Sequence, residues 1–271
     1  MSTNHTFDFF VQWHLTEKCN LKCTHCYQTG KGSSELSFEE IKLTIQEISG
    51  LLKTWGDTYG ITFSPSVNIT GGEPLLRKDL FDIICEFRNA GFDTYLLTNG
   101  ILIDKEKAAK LLHAGVKGVQ ISIEGPEQVH NSIRGKNSFS ASMRGVRNLL
   151  EADLTVTLNA TLSRLNSSYL LETMDLASNL GVHRLGFSRL VPSGKGEQLL
   201  KDMLKTGEVS QLYNDVYSHK LNNGLEIVTG DPVASQMRNG HVNSDLGDTP
   251  LGGCAAGISG ITIMPDGSVV P

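Results

Sequence analysis

The alternation of short apolar runs with amphipathic segments constrains the fold more than any other feature of this sequence. Residues 9–15 (FFVQWHL) read as a first strand. After a polar loop reaching about Ser34, residues 37–55 open on Ser37 with Glu40 three positions later, a capping box. Ile41, Ile45, Ile48, Leu51 and Leu52 then recur at helical spacing. Strand-like runs at 66–70, 93–98, 118–123, 154–161 and 183–190 are each followed by a helical pattern, near 77–89, 104–114, 138–150, 168–180 and 197–220. Six strand–helix units predict an α/β fold with a parallel sheet, because parallel neighbours need helical crossovers. Right-handed crossovers can curl such a sheet into a barrel or part of one.

Near residue 221 the pattern stops. Residues 222–260 are rich in Gly, Asn, Asp and Ser, so a boundary is expected there, with segments 1–220 and 221–271. The end, GISGITIMPDGSVVP, predicts two short strands joined by a Pro-Asp-Gly turn. The 271 residues suffice to bury a core without disulfides. A net charge of −5 gives no electrostatic case for nucleic acid. No apolar run is long enough to span a membrane, and MSTNHTFDFF is not a signal peptide, so the expected location is the cytoplasm.

Three of the five cysteines, Cys19, Cys23 and Cys26, fall in TEKCNLKCTHCYQTG directly after the first strand, spaced C-x3-C-x2-C. Without a secretion signal, such clustering reads as ligation rather than disulfide formation. Three thiolates can hold three irons of a cubane, leaving the fourth iron open to a substrate or cofactor. The other reading is a zinc loop, which normally needs four protein ligands and can take His25 as the fourth. Otherwise His25 reads as an exposed loop residue. Cys85 lies in an apolar helical pattern and reads as a small core residue. His14 reads as a core histidine on the first strand, and Trp13 and Trp55 as packing residues.

The cysteine loop resembles the signature of the radical S-adenosylmethionine superfamily, with Tyr27 as the aromatic residue that follows it. The resemblance extends from residue 9 to about 220. It implies a partial, TIM-like (β/α)6 barrel, a [4Fe–4S] cluster on the three cysteines, and S-adenosylmethionine chelating the open iron. It further implies that Tyr27 lies along the adenine. Gly71, Gly72, Glu73 and Pro74 resemble the family's GGEP turn, with Glu73 toward the methionine amino group. In QISIEGPEQVHNSIRG, Ser122 and Glu124 would face ribose or amino acid, and Arg134 would pair with the cofactor's carboxylate or form a structural ion pair. Asn99, in LLTNG, and Asn159 are further candidates. Gly194 and Gly196 in PSGKG could admit adenine or substrate backbone.

LGGCAAGISGITIMPDGSVVP resembles the opening of the SPASM or twitch extension, in which Cys254 would ligate an auxiliary [4Fe–4S] cluster in the intact protein. The chain ends one residue before the next cysteine would be expected, so the extension is expected to be incomplete here. The implied activity is reductive cleavage of S-adenosylmethionine to a deoxyadenosyl radical that takes hydrogen from substrate. Maturation of a ribosomally made peptide is the first expectation and tetrapyrrole side-chain modification the second; an iron–sulfur electron carrier is a third, less favoured class. Expected partners are a peptide or small-molecule substrate, an electron donor such as a flavodoxin or ferredoxin, and a separate peptide-recognition protein. The last is expected because the first strand leaves no room for a preceding recognition domain.

Overall fold

A computed structural model describes residues 6–28, 34–220, 224–231 and 256–271. Cys254 lies outside the described residues. The elements in chain order begin with β1 (Thr6–Thr16), α1 (Phe38–Tyr59), β2 (Thr62–Gly71), α2 (Leu80–Asn89), β3 (Asp93–Thr98), α3 (Lys105–Ala114) and β4 (Gly118–Ser122). They continue with α4 (Glu127–Arg134), α5 (Ser138–Glu151), β5 (Val156–Leu162), α6 (Leu170–Leu180), β6 (Arg184–Arg189) and α7 (Thr206–Ser218). β7 (Glu226–Val228), β8 (Gly260–Ile263) and β9 (Val269–Val270) complete the sheet.

The sheet runs β7-β6-β5-β4-β3-β2-β1-β8-β9 and does not close, so it is a partial barrel. Every neighbouring pair is parallel except the terminal β8–β9 hairpin. The expected helix start at Ser37 is present: Ser37 N–H donates to Glu40 Oε2 at 2.8 Å, and Glu40 N–H donates to Ser37 Oγ at 3.4 Å. The helix ends at Gly60, whose φ of 66° is left-handed.

The strands alternate. Val11, Trp13, Val67, Ile69, Val119, Ile121, Val156 and Leu158 are buried against the helices. The residues between them, among them Asn68, Thr70, Gln120, Ser122, Thr157 and Asn159, line cavities on the concave side. This puts the apolar core between sheet and helices, and leaves a polar interior at the barrel axis.

Three features differ from the sequence expectations. Between β4 and α5 lies a short helix, α4, over residues to which the sequence pattern assigned no element; Val129 and Ile133 sit four apart on it and Ile133 is buried. The long helix expected over 197–220 is a 3-10 segment, Gly194–Asp202, followed by α7. Residues beyond 220 also join the same sheet at both sides: β7 pairs with β6, and β8 pairs with β1. The terminal hairpin forms as expected, with Gly267 N–H donating to Met264 O across the Pro-Asp-Gly turn.

Candidate functional site

A cavity of about 310 Å³ opens where the strands end. Cys19, Cys23, Cys26, Tyr27, Gly71, Gly72, Asn99, Ser122, Arg134 and Asn159 all line it. Ten of the residues named from the sequence, spread over 140 positions, therefore meet at one place. Glu73, Pro74 and Glu124 are buried and lie behind the wall rather than on it.

The cysteine loop is held against β2. Gly72 N–H donates to Thr16 O at 2.6 Å and Glu73 N–H to Lys18 O at 2.8 Å. A Cβ at Gly72 would lie 2.1 Å from Lys18 O, so only glycine lets the two backbones meet. The PSGKG turn closes on the loop from the other side. Gly194, at φ 57°, leaves no room for a Cβ, which would sit 2.1 Å from Tyr27 O, and Gly196 N–H donates to Cys26 O at 3.2 Å. These glycines permit a close approach of the loop's own backbone.

The three thiols are free and form no disulfide. They share the cavity wall, yet among the described residues no three His, Cys, Asp or Glu side chains converge as ligands of a single ion would. A cubane spreads its thiolates over separate irons, whereas zinc draws four ligands to one point. Three free thiols of one loop on one wall are a donor set that fits a cubane with one iron left open. Burial raises the Cys23 thiol to about 11, against the opposing pull of Arg134. Burial raises Cys19 as well.

Glu73 is fully buried. Its carboxylate accepts from Thr98 Oγ1 at 2.8 Å, Asn99 N–H at 2.9 Å and Leu75 N–H at 3.1 Å. It thus fixes the turn after β3 to the Gly71–Gly72 turn. Burial raises its pKa, and these donors oppose the rise.

Glu124 anchors a second group. Its Oε1 accepts from Arg134 Nε at 2.7 Å and Nη2 at 2.6 Å, and lies 3.0 Å from His25 Nε2. Its Oε2 accepts from Thr161 N–H at 2.8 Å. Burial opposes ionisation, but Arg134, His25 and the Thr161 amide hold Glu124 well below the usual carboxylate range. The structural ion pair weighed for Arg134 is thus present, while Arg134 Nη1 also lies 3.9 Å from Cys23 Sγ. His25, read as an exposed loop residue, is instead only partly exposed, with 9% of its side chain accessible; Glu124 draws it inward.

Tyr27 Oη donates to Gly71 O at 3.1 Å and lies 3.3 Å from His14 Nδ1, whose Nε2 is 3.1 Å from Gln12 Nε2. His14 is therefore a buried and satisfied histidine, as expected. Asn159 packs against Gly186, where a Cβ would meet its Oδ1 at 2.6 Å. Sequence reasoning missed Asn20, His130 and Arg189, and did not foresee the contact of His25 with Glu124. Asn20 and His130 lie outside the strands, and Arg189, at the end of β6, reaches the cavity from a position of the same parity as the buried Leu185 and Phe187, so the apolar–polar alternation gave no signal for them.

A model of the Radical SAM superfamily matches residues 13–177. Fe-coproporphyrin III synthase of Methanosarcina barkeri is 34% identical over 205 residues, covering 74% of this chain and 49% of that protein. Mycofactocin maturase MftC of Mycobacterium tuberculosis is 31% identical over 264 residues, covering 96% of this chain and 63% of that protein. The crystal structure of Streptococcus suis SuiB bound to its precursor peptide SuiA superposes with a TM-score of 0.74 at 16% identity. It covers 98% of this chain and 59% of that one. The chain spans about half the length of the first curated relatives it matches.

Proposed function

This chain belongs to the radical SAM superfamily, whose members use a [4Fe–4S] cluster and S-adenosylmethionine, and from that premise we propose that Cys19, Cys23 and Cys26 hold the cluster at the cavity mouth. The observation that carries this reading is the shared cavity wall: three free thiols, the Gly71–Gly72 turn and Arg134 face one space. When bound, the cluster and S-adenosylmethionine together supply a deoxyadenosyl radical that takes a hydrogen atom from substrate.

The chain's own residues do the rest. Gly71 and Gly72 present backbone to the cofactor's methionine end. Glu73 shapes that surface from behind through Thr98 and Asn99, rather than through a direct contact. Arg134, oriented by Glu124, offers its remaining N–H groups to the cofactor's carboxylate. Tyr27, Ser122 and Asn159 form the wall against which adenine and ribose lie. Residues 1–220 constitute the cofactor-binding core and 221–271 the start of a SPASM or twitch extension, with Cys254 on an auxiliary cluster of the intact protein.

The substrate we assign first is a ribosomally made peptide. Support comes from the match to mycofactocin maturase along 96% of the chain and from the likeness to SuiB, which was crystallised with a precursor peptide. A carboxylated tetrapyrrole is the second reading, favoured by 34% identity to Fe-coproporphyrin III synthase. An external one-electron donor such as a flavodoxin or ferredoxin completes either reaction, and a separate recognition protein would bring the peptide.

The test is anaerobic reconstitution of the full-length protein, followed by assay of deoxyadenosine formation with a candidate precursor peptide and with iron coproporphyrin III. About four irons at the three-cysteine loop are expected, with faster S-adenosylmethionine cleavage in the presence of the true substrate. Absence of cleavage under reducing conditions would overturn the reading.

A further inference from the structure

Arg189, at the C-terminal end of β6, also lines the cavity, yet it belongs to neither the cluster loop nor the cofactor wall. Its Nε and Nη2 both donate to Asp231, just beyond β7, with Nη2 2.9 Å from Oδ1. The Asp231 side chain is 3% exposed and the Arg189 side chain 37% exposed, so the anchor is buried and the guanidinium is presented. The bidentate contact uses one N–H of Nε and one of Nη2. The edge formed by Nη1 and the second Nη2 hydrogen is left to donate as a pair, and its plane is fixed in advance.

The surroundings suit an anion. Among the described side chains that line the cavity there is no Asp or Glu, since Glu73 and Glu124 lie behind the wall. Its neighbours Ser188 and Ser193, also on the wall, are neutral hydroxyls. The other lining guanidinium, Arg134, already serves Glu124 and the Cys23 sulfur. With the donors that Arg134 keeps assigned to the cofactor's carboxylate, Arg189 is the second anchored guanidinium on this wall, and its outer donor pair is left for another anion.

We propose that Arg189, held by Asp231, is the residue that binds a carboxylate group of the substrate. The proposal rests on the cavity being the radical SAM site. A carboxylate can come from a tetrapyrrole side chain or from an acidic peptide residue, and the same guanidinium edge fits both.

The experiment uses the full-length protein with its iron restored and S-adenosylmethionine bound, and measures affinity for two pairs of probes. One pair is coproporphyrin III and its tetramethyl ester. The other is a short alanine peptide with one central glutamate and the same peptide with glutamine. In at least one pair the acid should bind about ten-fold or more tightly than its neutral twin, as one charge-assisted contact provides. Arg189→Gln should remove that difference, and Arg189→Lys should restore part of it. The pair that responds identifies the source of the carboxylate. S-adenosylmethionine affinity should stay within about two-fold of the unaltered protein in both variants. Equal binding of acid and neutral twin in both pairs overturns the proposal. So does weakened S-adenosylmethionine binding in Arg189→Gln, which would make Arg189 a cofactor residue. Failure of the unaltered protein to bind S-adenosylmethionine would instead overturn the assignment of the cavity itself.

Discussion

The side-chain amide of Asn99 donates to Asn20 Oδ1 at 2.7 Å, joining the end of β3 to the cysteine loop. Asn99 Oδ1 accepts from Ile101 N–H at 3.0 Å, its own N–H donates to Glu73, and its carbonyl accepts from Ser142 Oγ at 2.6 Å. Asn20 Oδ1 in turn lies 3.9 Å from Cys19 Sγ. Each polar group of Asn99 thus has a partner in the protein, and through its side chain the residue holds the cysteine loop. Asn99→Ala should weaken the hold on Cys19 by about 1–2 kcal/mol, the worth of a shielded hydrogen bond. Reconstituted protein should then lose iron faster to a chelator. A rate equal to that of the unaltered protein would rule out this positioning role.

The cysteines themselves set the simplest test. Replacing Cys19, Cys23 and Cys26 together by alanine should remove the cluster at this loop and its visible absorbance. Because burial raises Cys19 and Cys23, iron must displace protons from both, and reconstitution should proceed faster as pH rises toward 9. Full iron and sulfide in the triple variant would refute the site.

Arg134 is harder to probe, because removing it strands a charge. Glu124 is buried and would keep only His25 and the Thr161 amide. Breaking such a pair costs about 3–5 kcal/mol. Arg134→Ala should therefore lower both thermal stability and S-adenosylmethionine affinity. The double variant Glu124→Gln, Arg134→Gln should recover most of the stability but not the affinity. Recovery of both would make the pair purely structural.

Much of this organisation was legible in the sequence, for reasons that differ from part to part. Helices and strands were readable because Ile41, Ile45 and Ile48 keep helical spacing, while VNIT and VQIS keep their apolar residues two apart. The same alternation carried information about the interior. A parallel strand buried on both faces reads as a continuous apolar run, so Asn68, Gln120, Ser122 and Asn159 between apolar neighbours mark a polar lumen. What could not be read was contact between distant loops. His25 looks like a loop residue until Glu124, 99 positions later, is seen to draw it in. That Gly194 packs on the Tyr27 carbonyl, where a Cβ would be, has no signal in the sequence around either residue. Asp231 lies in a stretch without periodicity, so its partnership with Arg189 has no local signal.

The Gly71–Gly72 turn gives a prediction that needs no cofactor. A Cβ would lie 2.4 Å from Thr16 O at position 71 and 2.1 Å from Lys18 O at position 72, and both obstacles are backbone. Gly72→Ala must therefore push the cysteine loop away from β2 and break the Glu73 N–H to Lys18 O bond. A loss of about 2 kcal/mol or more in stability is expected, together with poor iron incorporation. A variant that melts with the unaltered protein and fills with iron normally would show that the loop can yield without cost.

His130 makes the stability of this corner depend on pH. Its ring is fully buried, and its Nδ1 accepts from Glu124 N–H at 3.2 Å, so the folded protein needs it neutral. Burial, reinforced by Arg134 and opposed by Glu124, lowers its pKa from 6.5 to about 4. The sign follows from proton counting. Above about pH 6.5 neither state binds the proton and His130 has no effect on the slope. Between 6.5 and 4 the unfolded chain takes the proton and the folded chain does not, so stability falls as pH falls, by up to about 3 kcal/mol. Below that window both states are protonated and the loss levels off. His130→Asn keeps an acceptor near Glu124 N–H but does not titrate. It should be less stable than the unaltered protein near neutral pH, and the gap should narrow as unfolding free energies are measured downward to about pH 4.5. A gap that stays constant across that range would mean that His130 takes up its proton as readily in the fold as in the unfolded chain, and that burial does not hold it neutral.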